Sequence, residues 1–158
     1  MEVERKFLVW EVPADLDSHP ATLIHQGYLA IDPDGSEVRV RRRGERRYLT
    51  CKRGHGLVRD EAEIEITEPQ FDVLWPLTDG RRIEKTRYEI GAGESRVIEL
   101  DVYRGGLEGL VVAEIEFPGP ADADAFDAPV WFGPDVTSDD RYKNQRLATD
   151  GLPSTAQA

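Results

Sequence analysis

Carboxylate and basic side chains recur at every second position in this chain, and a period of two sets them side by side on one face of an extended strand. Glu2, Glu4 and Lys6 share such a face near the N-terminus, with Val3 and Phe7-Leu8 supplying apolar character. Arg39, Arg41 and Arg43 form another, with Val38 and Val40 opposite. Tyr48, Thr50 and Lys52 follow, then Glu61, Glu63 and Glu65 alternating with Ala62, Ile64 and Ile66. Lys85 and Arg87, Glu99 and Asp101, and Glu114 and Glu116 complete the series. Residues i and i+2 of a strand lie about 7 Å apart. A Glu-x-Glu pair can therefore offer two carboxylates to one hard cation or to two adjacent ones. Mg2+ and Mn2+ take oxygen ligands of this kind and share them with substrate phosphates. Arginine holds phosphate as a two-pronged fork and lysine as a compact point charge. Cations and anions on neighbouring strands together describe a site for a metal-bound polyphosphate.

Any one of these motifs also describes the solvated face of an antiparallel sheet. Sorting by sign favours the site. Basic residues collect at 39–43, 52 and 85–87, acidic ones at 2–4, 61–65, 99–101 and 114–116. Buried without ligands, such charges would be costly.

The elements that must position these residues are mostly strands. Asp32-Pro33-Asp34-Gly35 reads as a turn before the arginine strand, and Gly44 closes that strand toward the next. Gly54-His55-Gly56 separates the lysine strand from the triple-glutamate strand, and Gly105-Gly106 with Gly109 breaks the chain before the last one. Consecutive strands with short links predict antiparallel pairing. Thr67-Glu68-Pro69-Gln70 reads as a capping box opening a short helix with Phe71, Leu74 and Trp75 on its apolar stripe. Further helices are predicted over Pro20–Gln26, from within Asp122–Phe126, and within Asp139–Thr149 from Ser138 or Asp139. Residues 151–158 read as a frayed tail after one domain over 1–150.

Composition narrows the function classes. Of 158 residues, 32% are charged and the formal net charge is −11, which repels nucleic acid and anionic lipid at long range. Arg39–Arg43 with Arg46-Arg47 is the one basic run that could serve nucleic acid, but the overall acidity makes that a minor reading. Cys51 is the single cysteine, which excludes an intramolecular disulfide framework, and its alternating run predicts a buried or half-buried side chain. His19, His25 and His55 lack zinc-ligand spacing, and neither GxxxxGK[ST] nor GxGxxG is present. The N-terminus has no apolar signal region and no stretch reaches membrane-span length, so the expected compartment is the cytoplasm.

At these residues the chain resembles the CYTH domain family, the triphosphate tunnel metalloenzymes. Glu2-Val3-Glu4-Arg5-Lys6 matches the ExExK signature of that family. The likeness continues through Gly27-Tyr28-Leu29, Glu37-Val38-Arg39-Val40-Arg41, Leu49-Thr50-Cys51-Lys52 and Glu63-Ile64-Glu65. It then runs through Lys85-Thr86-Arg87-Tyr88, Glu99-Leu100-Asp101-Val102-Tyr103, Ala113-Glu114-Ile115-Glu116-Phe117 and Asp140-Arg141-Tyr142-Lys143-Asn144. ExExK alone is a weak signal; the ordered set is specific.

The resemblance implies a mainly β fold, a closed eight-stranded antiparallel barrel forming a tunnel with a few helices packed outside. By similarity, Glu2, Glu4, Asp101, Glu114 and Glu116 bind divalent metal, Mg2+ or Mn2+. Lys6, Arg39, Arg41, Lys52, Lys85, Arg87 and Lys143 bind the triphosphate, and Glu63 and Glu65 support the metal and its waters. Lys6 and Tyr28 are the candidates to orient or deprotonate the attacking water, with packing as the other role open to Tyr28. The implied activity is metal-dependent hydrolysis of a linear triphosphate, inorganic triphosphate foremost. The alternatives are a nucleoside or thiamine triphosphatase, an adenylate cyclase, or a non-catalytic polyphosphate-binding module. The implied partner is a small molecule, met by a monomer or homodimer.

Overall fold

A computed structural model describes residues 3–54 and 60–154. It contains β1 (Val3–Leu8), β2 (Ala21–Ile31), β3 (Glu37–Arg43), β4 (Arg46–Arg53) and β5 (Asp60–Ile66), followed by the helix α1 (Glu68–Leu74). Then come β6 (Arg82–Gly91), β7 (Val97–Tyr103), β8 (Val111–Phe117), α2 (Pro120–Ala125) and α3 (Asn144–Asp150). The strands form an eight-stranded sheet in the order β1-β8-β7-β6-β2-β3-β4-β5. The mainly β, antiparallel class expected from the sequence is what the chain adopts. β1 and β5 stand at the two ends of that order, so no β1–β5 ladder closes the sheet among the described residues. No helix among those residues is long and apolar enough to cross a membrane.

The chain divides into two compact units. Unit 1 takes residues 1–22 and 85–140, and unit 2 takes 23–84 and 141–158. In unit 1, Ile98 and Leu100 of β7 and Ala113, Ile115 and Phe117 of β8 turn one face of the sheet into a core, with Ile90 and, from α2, Ala123. Phe126 and Phe132 pack on the same side, with Phe126 5.3 Å from the Phe117 ring. Burial of this apolar face leaves Glu99, Asp101, Glu114 and Glu116 on the other. In unit 2, α1 opens with the expected capping box: Gln70 N donates to Thr67 Oγ1 at 3.2 Å, and Thr67 N donates to Gln70 Oε1 at 2.8 Å. Leu147 and Ala148 seat α3 in the same unit.

Four local expectations are corrected. Pro20–Gln26 is not helical; β2 starts at Ala21, and the alternating burial of Ile24, Gln26 and Tyr28 is decided by pairing with β3, which overrides local propensity. Cys51 is exposed, because the buried partner in its alternation is the polar Thr50. The helix near 122 begins at Pro120, whose missing N–H suits a first turn. In the last segment α3 starts only at Asn144, after a single tight turn over Asp140–Tyr142, so neither Ser138 nor Asp139 opens that helix. The Asp32–Gly35 turn forms as expected, with Gly35 at φ 92 donating to Asp32 O at 2.9 Å. His55 and Gly56 of the following turn lie outside the described residues, as do 155–158 of the tail.

Candidate active site

Register decides which charges meet. In unit 1, Lys6 faces Glu114 across β1–β8, Glu114 faces Glu99 across β7–β8, and Glu99 faces Glu89 across β6–β7. Two positions one way, Glu4 faces Glu116; two positions the other way, Asp101 faces Arg87. The charged face of this unit therefore carries carboxylates directly opposite carboxylates, an arrangement that destabilises a sheet unless something offsets it.

The basic half of the face is anchored at Asp101. Its side chain is fully buried and accepts from Lys85 Nζ at 2.8 Å, Arg87 Nε at 2.8 Å and Arg87 NH2 at 2.9 Å. Burial raises the Asp101 pKa, but Lys85 and Arg87 outweigh it and hold the carboxyl at about 2. Burial pulls the Lys85 ammonium below the ordinary lysine range, against the attraction of Asp101. Arg87 reaches Glu99 as well, at 3.1 Å. Asp101 thus meets cations, and Glu114, whose charge also acts on Lys85 and Arg87, links them to Glu4.

The remaining metal candidates centre on Glu4 and Glu114. Glu4 retains exposed surface, yet neighbouring side chains crowd water away from its carboxylate; this desolvation first, then the charge and hydrogen bond of Glu114, push it up to about 8. Lys6 Nζ lies 3.7 Å from Glu114 Oε1. Two carboxylates sharing a hydrogen bond, flanked by the exposed Glu116, offer hard oxygen donors where a cation can take the place of a proton. The donor set fits a divalent metal. No three acidic, histidine or cysteine side chains converge on one metal-sized point among the described residues, and Glu2 lies outside them.

Unit 2 carries the second set. Tyr28, Arg39, Thr50 and Glu63 form one row across β2–β5, and Gln26, Arg41, Tyr48 and Glu65 form the next. Thr50 Oγ1 donates to Glu63 Oε2 at 2.7 Å, which also lies 3.8 Å from Arg41 NH2. Arg39 is 8% exposed, and its Nε is buried with no hydrogen-bond partner among the described residues. Its NH1 meets Glu37 Oε2 at 3.4 Å. Tyr28 is sealed from solvent and receives a hydrogen bond from Gln26 Nε2 at 2.8 Å. Burial is the main cause that pushes its phenol up to about 12, with Arg39 pulling the other way. Lys52 is paired at 3.7 Å with Glu61 on the edge strand β5, where Glu63 and Glu65 are exposed. Lys143 is exposed at the start of α3.

The CYTH domain matches residues 1–128. The chain belongs to the CYTH family. An inorganic triphosphatase of Nitrosomonas europaea is 47% identical over 147 residues, covering 93% of this chain and 96% of the relative. Another, from Acetivibrio thermocellus, is 40% identical over 149 residues, covering 92% of each. A solved structure of an inorganic triphosphatase superposes with a TM-score of 0.78 at 42% identity, over 98% of this chain and 97% of that one. A Hippeastrum protein at 17% identity and a TM-score of 0.53 shares the CYTH fold alone.

Within this CYTH chain, sequence reading missed Glu37, Gln26, Glu89 and Gln145 as members of the charged faces. Glu37 was within reach of it, since it sits two residues before Arg39 on the same strand face. Gln145 gave no signal, because a lone glutamine on a helix has no period to betray it.

Proposed function

We propose that this chain is a divalent-metal-dependent hydrolase of linear triphosphates whose main substrate is inorganic triphosphate, released as phosphate and pyrophosphate. The observation that carries this reading is the sorting of buried charge: in unit 1, Lys85 and Arg87 beside carboxylates set opposite one another in register, and in unit 2, Arg39 beside Glu37. Two close relatives named inorganic triphosphatase, matched nearly end to end, support the same substrate. Residues 1–150 act as one domain, as a monomer or homodimer in the cytoplasm.

Glu4, Glu114 and Glu116, with Glu2, are the residues to hold Mg2+ or Mn2+; Asp101 serves them less directly, since its oxygens hold Lys85 and Arg87. A divalent ion supplies charge neutralisation on phosphate oxygens. Lys6, Lys85, Arg87, Arg39, Arg41, Lys52 and Lys143 take phosphate oxygens, and the orphaned Nε of Arg39 is a donor in want of such an acceptor. Water oxygen bonds to the terminal phosphorus as the bridging P–O bond breaks and pyrophosphate leaves with the electron pair. Fixed ammonium and guanidinium groups stabilise the charge that develops on the leaving oxygen. Lys6 orients the water. Tyr28, with its phenol pushed up to about 12, keeps its proton at neutral pH and serves as a hydrogen-bond donor rather than as the base. Glu63, fixed by Thr50 and Arg41, and Glu65 support the site from β5.

Phosphate release from inorganic triphosphate, ATP and thiamine triphosphate, measured in parallel with Mg2+ and with Mn2+, tests the proposal. Fastest turnover of inorganic triphosphate, lost in Arg39→Ala, is expected. A clear preference for ATP or thiamine triphosphate would move the substrate, and absence of turnover on all three would remove the hydrolase reading.

A further inference from the structure

The two arginines nearest a buried carboxylate are held in different ways. Arg87 is locked onto Asp101 by a two-point clamp at 2.8 and 2.9 Å. Arg39 meets Glu37 at one long 3.4 Å contact to Oε2 and also hydrogen-bonds the Tyr28 hydroxyl, while its buried Nε stays without a partner among the described residues. Both carboxylates are buried, so the difference does not come from solvent screening. The other oxygen of Glu37 is engaged elsewhere. Gln145 Nε2 donates to Glu37 Oε1 at 2.9 Å and to Gly35 O at 3.2 Å. The carbonyl of Gly35 belongs to the closed 32–35 turn, so the carboxamide is tied to a fixed backbone point as well as to the carboxylate. With Gln145 on Oε1, the carboxylate is turned so that Oε2 is the oxygen that meets the guanidinium.

Gln145 lies on α3, beyond the 1–128 span of the family match, and in the same unit as Arg39. Leu147 and Ala148 supply the helix with its buried face, so the carboxamide is not what seats it. We infer that Gln145 is a positioning residue for triphosphate binding: by engaging Glu37 Oε1 it prevents a closed Arg39–Glu37 fork and keeps the Arg39 guanidinium available to phosphate oxygens. The inference rests on the hydrolase reading above and adds to it a contribution from the C-terminal helix.

The kinetics of inorganic triphosphate hydrolysis in the full chain test it. Gln145→Ala frees Oε1, lets the fork close, and raises KM about tenfold, the scale of one hydrogen bond to a charged group, while kcat changes little. Adding Glu37→Gln to that variant removes the competing charge and brings KM back toward the wild-type value. A purely structural role would not give that rescue. Gln145→Met, which keeps length and loses the polar head, replaces Gln145→Ala if the latter fails to fold by its thermal melt. An unchanged KM, a loss confined to kcat, or a double variant worse than the single one overturns the positioning role alone. Absence of turnover in the wild-type chain overturns the hydrolase reading instead.

Discussion

Lys85 Nζ and Asp101 Oδ2 stand 2.8 Å apart with 1% and 0% of their side chains exposed. Sequence similarity assigned the carboxylate to metal and the ammonium to phosphate; the fold joins them. A buried carboxylate that accepts from both Lys85 and Arg87 fixes two anion-binding side chains at once, and losing it would strip each cation of its shortest ionic contact.

Asp101→Ala should therefore destabilise the chain by about 3–5 kcal/mol, the scale of breaking a buried ion pair from one side. Glu99→Ala, which removes a half-buried partner of Arg87 alone, should cost less than about 1 kcal/mol. Urea unfolding of the two variants beside the wild type gives the comparison. Equal losses would mean that Asp101 is not the anchor.

The same carboxyl sets an acid limit. Its pKa falls from the ordinary 3.8 to about 2 on folding, so the unfolded chain takes up the proton first as pH drops. The stabilisation is fully present above about pH 4 and is lost as pH falls from there through 2; integrated, it amounts to roughly 2 kcal/mol. Unfolding free energies measured by urea down through this window should decline in the wild type with a component that Asp101→Asn lacks. Parallel slopes in the two proteins would contradict the assignment.

Removal of divalent metal should abolish phosphate release, and Mg2+ or Mn2+ should restore it. Glu4→Gln keeps the shape of the side chain and removes one hard ligand charge, so it should raise the metal concentration for half-activation about tenfold or more. A metal titration of turnover reads this directly. Identical titrations for the variant and the wild type would take Glu4 out of the metal set.

Gly27 is required by a close approach and not by its backbone angle. A Cβ at this position of β2 would sit 2.8 Å from Thr78 Cγ2 and 2.5 Å from Thr78 Cβ. Thr78 is fully buried and cannot retreat easily, because its Oγ1 donates to Trp75 O at 2.7 Å and accepts from Arg82 Nε at 2.9 Å. Gly27→Ala should cost about 1–3 kcal/mol, as overpacking does. A melting temperature within a degree or so of the wild type would show that the loop carrying Thr78 yields.

How much was legible in advance differs by element. Glu114 and Glu116, or Lys85 and Arg87, are two residues apart on strands with apolar alternates, and period two alone assigns them to one face. The α1 capping box is equally local: Thr67 and Gln70 bond each other across three residues, and both were readable. The stretch 20–26 was misread because its residues have no decisive local preference, and the strand is fixed by its ladder to β3, which a local reading does not see. Cys51 was misread for a related reason. On β4 the polar Thr50 is the buried neighbour, reversing the rule that apolar alternates face the interior.

By itself the sequence determined the composition of the charged faces, because side-chain direction on a strand follows from parity and parity is written in the spacing. It also determined the family, because an ordered set of short motifs survives without any knowledge of contacts. Only the tertiary structure decided which charge meets which. Register sets Glu4 against Glu116 and Glu99 between Glu89 and Glu114, burial turns Asp101 into the anchor of Lys85 and Arg87, and a helix more than a hundred residues away brings Gln145 to Glu37. Charge pairing depends on distances of a few ångströms and on the loss of water around the pair. Those quantities exist only once the chain has folded.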